Sequence, residues 1–337
     1  MKSILIPEEK ARGSRILPFY LAAEEWVATH LPPGDWFFAW QVPPTVICGR
    51  HQDMPLEVDL DYARAHDINV WRRKSGGGCV YADWSNVMFS FITSSIPDVG
   101  GSFRHYTDLI CSMLASLGIE SEPTGRNDVA IRGRKVAGNS YYRVGGRSIV
   151  HGTMLYDADF SVMSQVLTPS RAKLLSKGVQ SVPARVTTLK AEGLYISCGE
   201  FVRKAVDGIC KDGSYSLTET DITEIEEIEQ TYLTPEFLRR EGLERLPVVL
   251  SRRLEGVGEV TVSMRLDRVG RIEALQLSGD FFGSQDDKIR LQKCLRGVPC
   301  ESGAIEEAIV REGLHKAVRG LSPGALARMI TEKEQNY

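Results

Sequence analysis

Two short stretches of this chain combine cations, a carboxylate and glycines in an order suited to a negatively charged ligand. Residues 72–81 read Arg-Arg-Lys-Ser-Gly-Gly-Gly-Cys-Val-Tyr. The second stretch contains Asn127-Asp128 and then residues 133–138, Gly-Arg-Lys-Val-Ala-Gly. Three consecutive glycines remove every Cβ, so the backbone can approach an anion and turn its N–H groups toward it. The paired arginines add forked charges that suit carboxylates and phosphates.

The second stretch supplies one carboxylate and one lysine. Asp128 can hold a hard cation through oxygen, and Lys135 is flanked by small residues that leave room for a carbonyl or phosphate. Alone, a Ser-Gly-Gly-Gly run is commonly a turn, and a single lysine is commonly a solvated surface group. The run is neither a Walker loop nor a dinucleotide fingerprint, because no Gly-Lys-Ser/Thr follows and the glycine spacing differs. The two stretches together predict one pocket for an anion, a metal and an acyl group, as in an activated acyl phosphate.

At these residues the chain resembles the lipoate-protein ligase family, within the larger group that includes biotin ligases and octanoyl transferases. The family pattern Arg-Arg-x-Ser-Gly-Gly-Gly-x-Val is matched by residues 72–80. Its later motifs, ending in His-Gly-Thr-x-Leu, are matched in order by residues 82–86, 125–128, 133–138 and 151–155. Ala82 and Ser85 stand where the family usually has histidine and glycine. Segments resembling the end of its catalytic domain and part of its accessory domain are residues 177–182, 184–186 and 279–282.

The resemblance implies a reaction in two steps. Lipoate and ATP give lipoyl-adenylate and pyrophosphate, and a lysine of a carrier domain then takes the acyl group as an amide. In this interpretation Lys135 is the central catalytic residue, and Asp128 holds Mg²⁺. The implied contacts to ATP and lipoyl-adenylate are Arg73, Ser75, Gly76, Gly77, Gly78, Cys79, Val80, Tyr81, Asn86, Asn127, Asp128, Lys135, Gly138, His151 and Thr153.

The resemblance also implies partners and leaves alternatives open. Lipoate or octanoate would be the substrate, and the acceptors would be lipoyl domains of 2-oxoacid dehydrogenase complexes and the glycine cleavage H protein. Free lipoate, octanoate and pre-formed lipoyl-adenylate all remain possible donors. One alternative is a lipoyl or octanoyl transferase with a cysteine nucleophile, although Cys79 does not occupy the segment where those enzymes carry it. Others are a biotin-binding ligase or regulator and a non-catalytic lipoyl-binding scaffold.

Composition restricts the class of protein further. The chain has 337 residues, of which 42% are hydrophobic and 25% charged, enough for a sizeable core and two domains. A net charge of −3 argues against a nucleic-acid partner. No apolar run approaches the ~20 residues of a membrane span. The seven cysteines contain no C-x-x-C pair, which predicts reduced thiols in a cytosolic protein without a zinc site.

The pattern of apolar residues predicts an α+β fold. A catalytic domain with a mixed or antiparallel sheet is expected over residues 1–240, and a smaller α+β accessory domain over residues 248–337. An amphipathic helix is expected over residues 18–31, with Glu24 and Glu25 on its solvent-exposed face. Residues 36–40 and 45–49 are expected to form two strands that pair with each other. Further strands are expected over residues 67–71, 86–93, 129–136 and 150–156 and from residues 248, 260 and 272. Further helices are expected over residues 59–66, 103–117, 218–230, 285–295 and 302–311.

A hairpin turning near residues 140–148 is expected to bring Lys135 and His151 to one pocket. His151 alone is commonly a hydrogen-bonded structural histidine, and its match to His-Gly-Thr adds a pocket-lining role. The tunnel for the acyl chain is expected along residues 36–40 and Phe89.

Overall fold

The computed structural model describes residues 1–7, 15–94, 99–125, 127–168, 185–239, 246–283, 285–315 and 317–332. Its strands are β1 Lys2–Leu5, β2 Trp36–Trp40, β3 Thr45–Cys48, β4 Asn69–Arg72, β5 Val80–Ala82, β6 Asn86–Thr93, β7 Glu122–Thr124, β8 Asp128–Ile131, β9 Arg134–Val144, β10 Arg147–Leu155, β11 Ser214–Ser216, β12 Val248–Leu254, β13 Gly258–Leu266 and β14 Ile272–Gly279. Its helices are α1 Leu17–His30, α2 Met54–Glu57, α3 Leu60–Ala65, α4 Val99–Ser116, α5 Phe160–Val166, α6 Cys198–Ile209, α7 Glu219–Leu233, α8 Pro235–Arg239, α9 Gln285–Leu295, α10 Ser302–Arg311 and α11 Pro323–Thr331. The predicted α+β class is confirmed.

The main sheet has the strand order β11-β1-β2-β6-β10-β9-β8-β7. Pairing from β2 to β7 is antiparallel, whereas β1 runs parallel to both β2 and β11. Strand side chains alternate between the two faces. One face packs on α1 and α7 through a buried cluster, and the other packs on α4 and α6. The strands β6, β10 and β9 therefore separate two cores.

A second, three-stranded sheet of order β4-β3-β5 carries the glycine run between β4 and β5. Here β3 runs parallel to β4 and antiparallel to β5. The prediction that residues 36–40 and 45–49 pair with each other is wrong, because β2 belongs to the main sheet and β3 to this small one. The intervening Pro43-Pro44 lacks two backbone donors and cannot continue a ladder, so the chain crosses between sheets.

The prediction that Glu24 and Glu25 face outward is also wrong. Their exposed fractions are 0% and 9%. Helix α1 lies between the main sheet and α7, whose Ile222, Ile225 and Tyr232 belong to the same core cluster. A helix covered on both sides has no solvent face for a charged side chain, so both carboxylates need partners inside the protein.

The single strand expected over residues 129–136 is two strands. A turn at Arg132 and Gly133 separates β8 from β9, and the backbone φ angles there are 50° and 75°. The left-handed region is accessible to glycine without cost, which lets the chain reverse. The reversal makes β8 and β9 neighbours in the sheet and brings Asp128 opposite Gly138.

The C-terminal part builds its own core. Strands β12, β13 and β14 form an antiparallel sheet, and helices α9, α10 and α11 complete a cluster of buried apolar residues between 250 and 330. The predicted helices 285–295 and 302–311 are confirmed. Ring contacts join this part to the rest: His51 stacks on Phe281 at 4.7 Å, and Phe103 lies 5.5 Å from Phe282. None of the helices in the described ranges is long and apolar enough to span a membrane.

Candidate active site

The guanidinium of Arg73 holds the glycine segment, residues 75–78, in place. Its Nε donates to the Ser75 hydroxyl at 2.9 Å, and its Nη2 donates to the carbonyls of Gly76 and Gly78 at 2.7 and 2.8 Å. The Nη1 donates to the carbonyl of Ile47 in β3 at 2.8 Å. Burial lowers the pKa of Arg73 to about 10, which still leaves the group charged at neutral pH. This charge is therefore directed at backbone oxygens, and not outward at a ligand.

Glycine is required in the segment by close approach of other backbone. A Cβ added to Gly49 would lie 1.9 Å from the Gly77 carbonyl oxygen, and one added to Gly76 would lie 2.8 Å from the Phe281 oxygen. Gly77 also has a φ of 86°, which side-chain-bearing residues rarely adopt. The segment is packed between the end of β3 and the C-terminal part, and a side chain at Gly49 or Gly76 would require a shift of the neighbouring backbone.

A chain of hydrogen bonds runs from the glycine segment into α1. The Ser75 hydroxyl lies 2.6 Å from His151 Nε2, and His151 Nδ1 lies 2.8 Å from a Glu24 carboxylate oxygen. Because a carboxylate only accepts, Nδ1 donates to Glu24, and Nε2 forms the hydrogen bond with the Ser75 hydroxyl. All three side chains are buried. The chain fixes the ring of His151 and, through it, the start of the glycine segment.

The buried Glu24 carboxylate is satisfied by further donors. The Ser90 hydroxyl donates to it at 2.5 Å and the Tyr142 hydroxyl at 3.0 Å. Its neighbour Glu25 pairs with Lys74 at 2.6 Å. The two adjacent acids of α1 therefore hold the two residues that precede the glycines. Glu25 contacts Lys74 directly, and Glu24 acts on Ser75 through His151. Neither role was predicted from the sequence, although an adjacent Glu pair inside an apolar helix is an unusual pattern that could have indicated it.

Cross-strand pairing aligns the other candidate residues on one face of β9 and β10, here called the site face. His151 lies opposite Ser140, and Thr153 lies opposite Gly138. The Ser140 hydroxyl donates to the Gly76 carbonyl at 2.7 Å, so the glycine segment sits above this end. Gly138 lies two residues away on the same face, or roughly 7 Å along the strand. The predicted hairpin is confirmed. Along it, the site face has one end at Ser140 and His151 and another end at Gly138 and Thr153.

At the Gly138 end, Lys135 and Asp128 form an ion pair of 2.8 Å. Their side chains are 39% and 32% exposed, so this end is open to solvent. A Cβ on residue 138 would lie 2.4 Å from Lys135 Nζ and 3.2 Å from Asp128 Oδ1. In this structure the end of the Lys135 side chain fills the space that a side chain at residue 138 would need.

Asp128 fits the chemistry of a nucleotide-bound magnesium ion. Mg²⁺ in such sites is held by one or two carboxylates together with substrate phosphates and water. Within the described ranges no three His, Cys, Asp or Glu side chains cluster as a metal cage. A partly exposed single carboxylate beside a lysine is suited to a metal that arrives with phosphate, and Asp128 would be its protein ligand.

Two asparagines tie the residue before Asp128 to β9, and Asn139 lies opposite Gly152 on the face of the sheet away from the site face. Asn127 donates to the Asn139 carbonyl, and Asn139 Nδ2 donates back to the Asn127 carbonyl at 3.1 Å. A Cβ on Gly152 would lie 2.1 Å from Asn139 Oδ1. The buried Oδ1 atoms of Asn86 and Asn139 have no hydrogen-bond partner among the described residues. These contacts fix Asp128 through its preceding residue.

Some predicted residues lie elsewhere. Phe89 pairs opposite Gly152 and Ala39, on the face away from Ser90 and His151, and it packs against Phe37 and α6. It therefore does not lie on the site face, where a tunnel would be expected. Val80 and Tyr81 belong to β5 next to the glycine segment. Residues 177–182 and 184 lie outside the described residues, whereas Val186 bridges to Lys135.

Cys79 does not have the environment of the catalytic nucleophile of an acyl transferase. Its sulfur lies 2.9 Å from the sulfur of Cys48. Burial, together with the hydrogen bond to Cys48, raises the pKa of the Cys79 thiol, whereas Arg73 lowers it in part. A nucleophilic cysteine needs a lowered pKa and an adjacent base, and neither is present at this position among the described residues.

Models of two protein families match the chain. The model of the lipoyl protein ligase A/B catalytic domain matches residues 18–209, and that of the bacterial lipoate protein ligase C-terminus matches residues 246–330. Lipoate-protein ligase 1 of Staphylococcus aureus is 32% identical over 318 residues, covering 92% of this chain and 95% of that protein. Lipoate-protein ligase LplJ of Bacillus subtilis is 30% identical, covering 86% and 89%.

Solved structures agree in fold. P. falciparum LipL1 in complex with lipoate has a TM-score of 0.74 at 16% identity, covering 93% of this chain and 96% of that one. A lipoate-protein ligase A bound with ATP has a TM-score of 0.60 at 23% identity, covering 70% and 98%. The sequence matches extend over both parts of the chain and include the glycine segment, Lys135 and His151. The chain belongs to the lipoate-protein ligase family.

Proposed function

We propose that this protein uses ATP to convert lipoate into lipoyl-adenylate and then transfers the lipoyl group to a lysine of a lipoyl domain. The observation that carries the proposal is the site face of β9 and β10. It presents a partly exposed Lys135–Asp128 pair at one end and, at the other, a hydrogen-bonded glycine segment whose Ser75 and Gly76 are buried. Formation of a mixed anhydride between a carboxylic acid and AMP needs a cation near the reacting carboxylate and α-phosphate, and hydrogen-bond donors for the remaining phosphate oxygens.

In the first step, a lipoate carboxylate oxygen attacks the α-phosphorus of ATP and the bond to the pyrophosphate breaks. Lys135 is suited to contact both the carboxylate and the α-phosphate, because its Nζ lies at the site face beside Gly138 and, among the described residues, its charged partner is Asp128. Such a contact orients two like-charged reactants and stabilises the charge that develops between them. Asp128 would hold Mg²⁺, which supplies charge neutralisation for the phosphates.

The glycine segment is suited to accept the phosphates or the adenine through backbone N–H groups. Arg73, Ser75 and His151 act beneath it as positioning residues, since their polar groups are engaged with the protein itself. Thr153 adds a hydroxyl next to Gly138 on the same face. The remaining proposed contacts are Gly76, Gly77, Gly78, Cys79, Val80, Tyr81, Asn86 and Asn127.

In the second step, the amine of the acceptor lysine attacks the acyl carbonyl, and AMP leaves. One related archaeal structure is described as a bipartite lipoate protein ligase with its E2 lipoyl domain, which supports an acceptor of this type. The specific acceptors we propose are lipoyl domains of 2-oxoacid dehydrogenase complexes and the glycine cleavage H protein, in the cytosol. Residues 1–240 would form the catalytic domain and residues 248–337 the accessory domain.

The test is ATP–pyrophosphate exchange by the purified chain with magnesium, with and without lipoate, because exchange isolates the adenylation step from the acceptor. We expect exchange that depends on lipoate. Absence of exchange, combined with transfer from supplied lipoyl-adenylate to a lipoyl domain, would make the protein a transferase that lacks the first step. Octanoate in place of lipoate, at equal concentration, would then measure the preference for the acyl chain.

A further inference from the structure

Two cysteines flank the glycine segment and contact each other. Cys48 ends β3 and Cys79 immediately precedes β5, and their sulfur atoms are 2.9 Å apart. The antiparallel register pairs Ile47 with Val80, so the next position along β3 lies opposite Cys79. Directly opposed residues of antiparallel strands have Cα separations within the range that a disulfide spans.

The two thiols differ in access. Cys48 is fully buried, whereas Cys79 is partly exposed. Both belong to or pack on one apolar cluster that includes Val46 and Tyr81. This arrangement provides one thiol that a small oxidant can reach and a second thiol in contact with it, so a sulfenic acid formed at the first thiol lies within reach of the second.

We propose that Cys48 and Cys79 are a site of reversible disulfide formation, with a peroxide as oxidant, and that the disulfide restrains the glycine segment and lowers activity. In the first step the Cys79 sulfur attacks hydrogen peroxide: the O–O bond breaks, an S–O bond forms, and water leaves. In the second step the Cys48 sulfur attacks the sulfenic acid: the S–S bond forms, the S–O bond breaks, and the departing hydroxide takes the Cys48 proton as water. Two thiols thereby lose two electrons to one peroxide.

The bond would act on the site through short connections. A disulfide brings two sulfurs to about 2.05 Å, closer than they lie here, and it fixes the torsion between them. Cys79 follows Gly78, whose carbonyl accepts from Arg73, and Cys48 precedes Gly49, whose Cα lies against Gly77. A shift of the backbone at either cysteine should therefore also move the glycine segment, because the segment is in close contact with Gly49 and Arg73.

Burial raises the pKa of the Cys79 thiol, and Glu57 raises it further, whereas Arg73 opposes both. The thiol is therefore mostly protonated at neutral pH, and the first step is slow compared with that of an activated cysteine. The disulfide is expected under sustained peroxide, with a reductant reversing it.

The decisive experiment is peptide mapping of the full chain. Cys48 and Cys79 fall in separate tryptic peptides, residues 16–50 and 75–104, each with one cysteine. Reduced, folded protein is treated with hydrogen peroxide, free thiols are alkylated, and the digest is analysed without reductant. We expect these two peptides linked and two thiols lost, with the link removed by dithiothreitol. Cys111→Ser, which removes a partly exposed thiol of α4, is the matched control and should retain the link.

The activity arm rests on the proposed function. Linked protein should lose roughly 10- to 100-fold of its lipoate-dependent exchange, since a displacement of about 1 Å can have that effect. Dithiothreitol should restore it, and Cys48→Ala should form no link and keep its rate under peroxide. Oxidation of Cys79 to sulfinic acid without the linked peptides, or a linked protein with unchanged exchange, would overturn the proposal. If reduced protein shows no exchange, the proposed function fails, while the peptide map still decides whether the disulfide forms.

Discussion

At one end of the site face, Lys135 and Asp128 pair at 2.8 Å with side chains 39% and 32% exposed. At the other end, Arg73 is 6% exposed and donates to one hydroxyl and three carbonyls of the protein. Both ends carry cations that sequence motifs place in a binding site. The two ends thus differ in that Lys135 is a partly exposed cation, whereas the hydrogen bonds of Arg73 go to the protein itself. Substitutions at the two ends should therefore fail in different ways.

The largest effect on catalysis is expected at the open end. Lys135→Ala should reduce lipoate-dependent exchange by about 100- to 1000-fold, because it removes a charge placed where the reaction develops charge. The free energy of unfolding should change by less than about 1 kcal/mol, since an exposed ion pair contributes little. Lys190→Ala is the matched control, because Lys190 forms an ion pair of 2.6 Å with Asp157 on the surface. Near-normal turnover of Lys135→Ala would remove this lysine from the mechanism.

At the buried end, substitution of Arg73 should mainly lower the free energy of unfolding. Arg73→Lys keeps the charge but cannot replace four hydrogen bonds from one nitrogen, so several buried carbonyls lose their donor. We expect the free energy of unfolding in urea to fall by about 2–4 kcal/mol. Arg64→Lys, at an exposed pair with Asp61, should leave it unchanged. An Arg73→Lys protein of unaltered stability but lost exchange would mean that Arg73 contacts the ligand after all.

A smaller loss of stability is expected from substitution of Glu24, the carboxylate that accepts from His151 at the buried end. Glu24→Gln replaces an oxygen with an NH₂ group that must face one of three donors, from His151, Ser90 or Tyr142. The mismatch should lower the free energy of unfolding by about 1–3 kcal/mol. Glu226→Gln, at a partly exposed pair with Arg15, is the control. Equal stability of both variants would show that the buried hydrogen-bond chain adds nothing.

The smallest effect is expected from Gly138→Ala, a substitution on the site face next to Lys135. Gly138→Ala places a methyl group 2.4 Å from Lys135 Nζ, and the flexible end of the lysine must move away. Exchange should fall by roughly tenfold, with little effect on the unfolding transition. Gly303→Ala, where nothing lies within 4 Å of the added Cβ, is the matched control. Loss of stability at Gly138→Ala comparable to that of Arg73→Lys would contradict a division of the site into open and buried ends.

Local sequence patterns predicted much of the fold. Helices α9 and α10 were predicted because their apolar spacing and ends are clear, and β6 was predicted from a continuous apolar run. The conjunction of the glycine run with Lys135 predicted one site, and the hairpin of β9 and β10 aligns Gly138, next to Lys135, and Ser140, which bonds Gly76, on one face of the sheet.

The remaining errors concern which partner an element meets. Periodicity gives the faces of a helix but does not show that α7, over 180 residues later, covers the outer face of α1 and buries Glu24. Likewise, strand propensity at residues 36–40 and 45–48 does not decide which sheet each strand joins. The role of Arg73 depends on carbonyl positions set by those sheets, and no local pattern contains them.

Strand β10 is hydrogen-bonded on both sides along nearly its whole length, to β6 and to β9. Amide protons at residues 149–153 should therefore exchange with deuterium only when the whole domain opens. The Lys135 end differs, because the β8–β9 ladder is irregular there and an isolated bridge to Val186 completes it. Its amides should exchange through local opening. The His151 end of the site face would then open only with the whole domain, whereas the Lys135 end rearranges while the rest of the sheet stays folded.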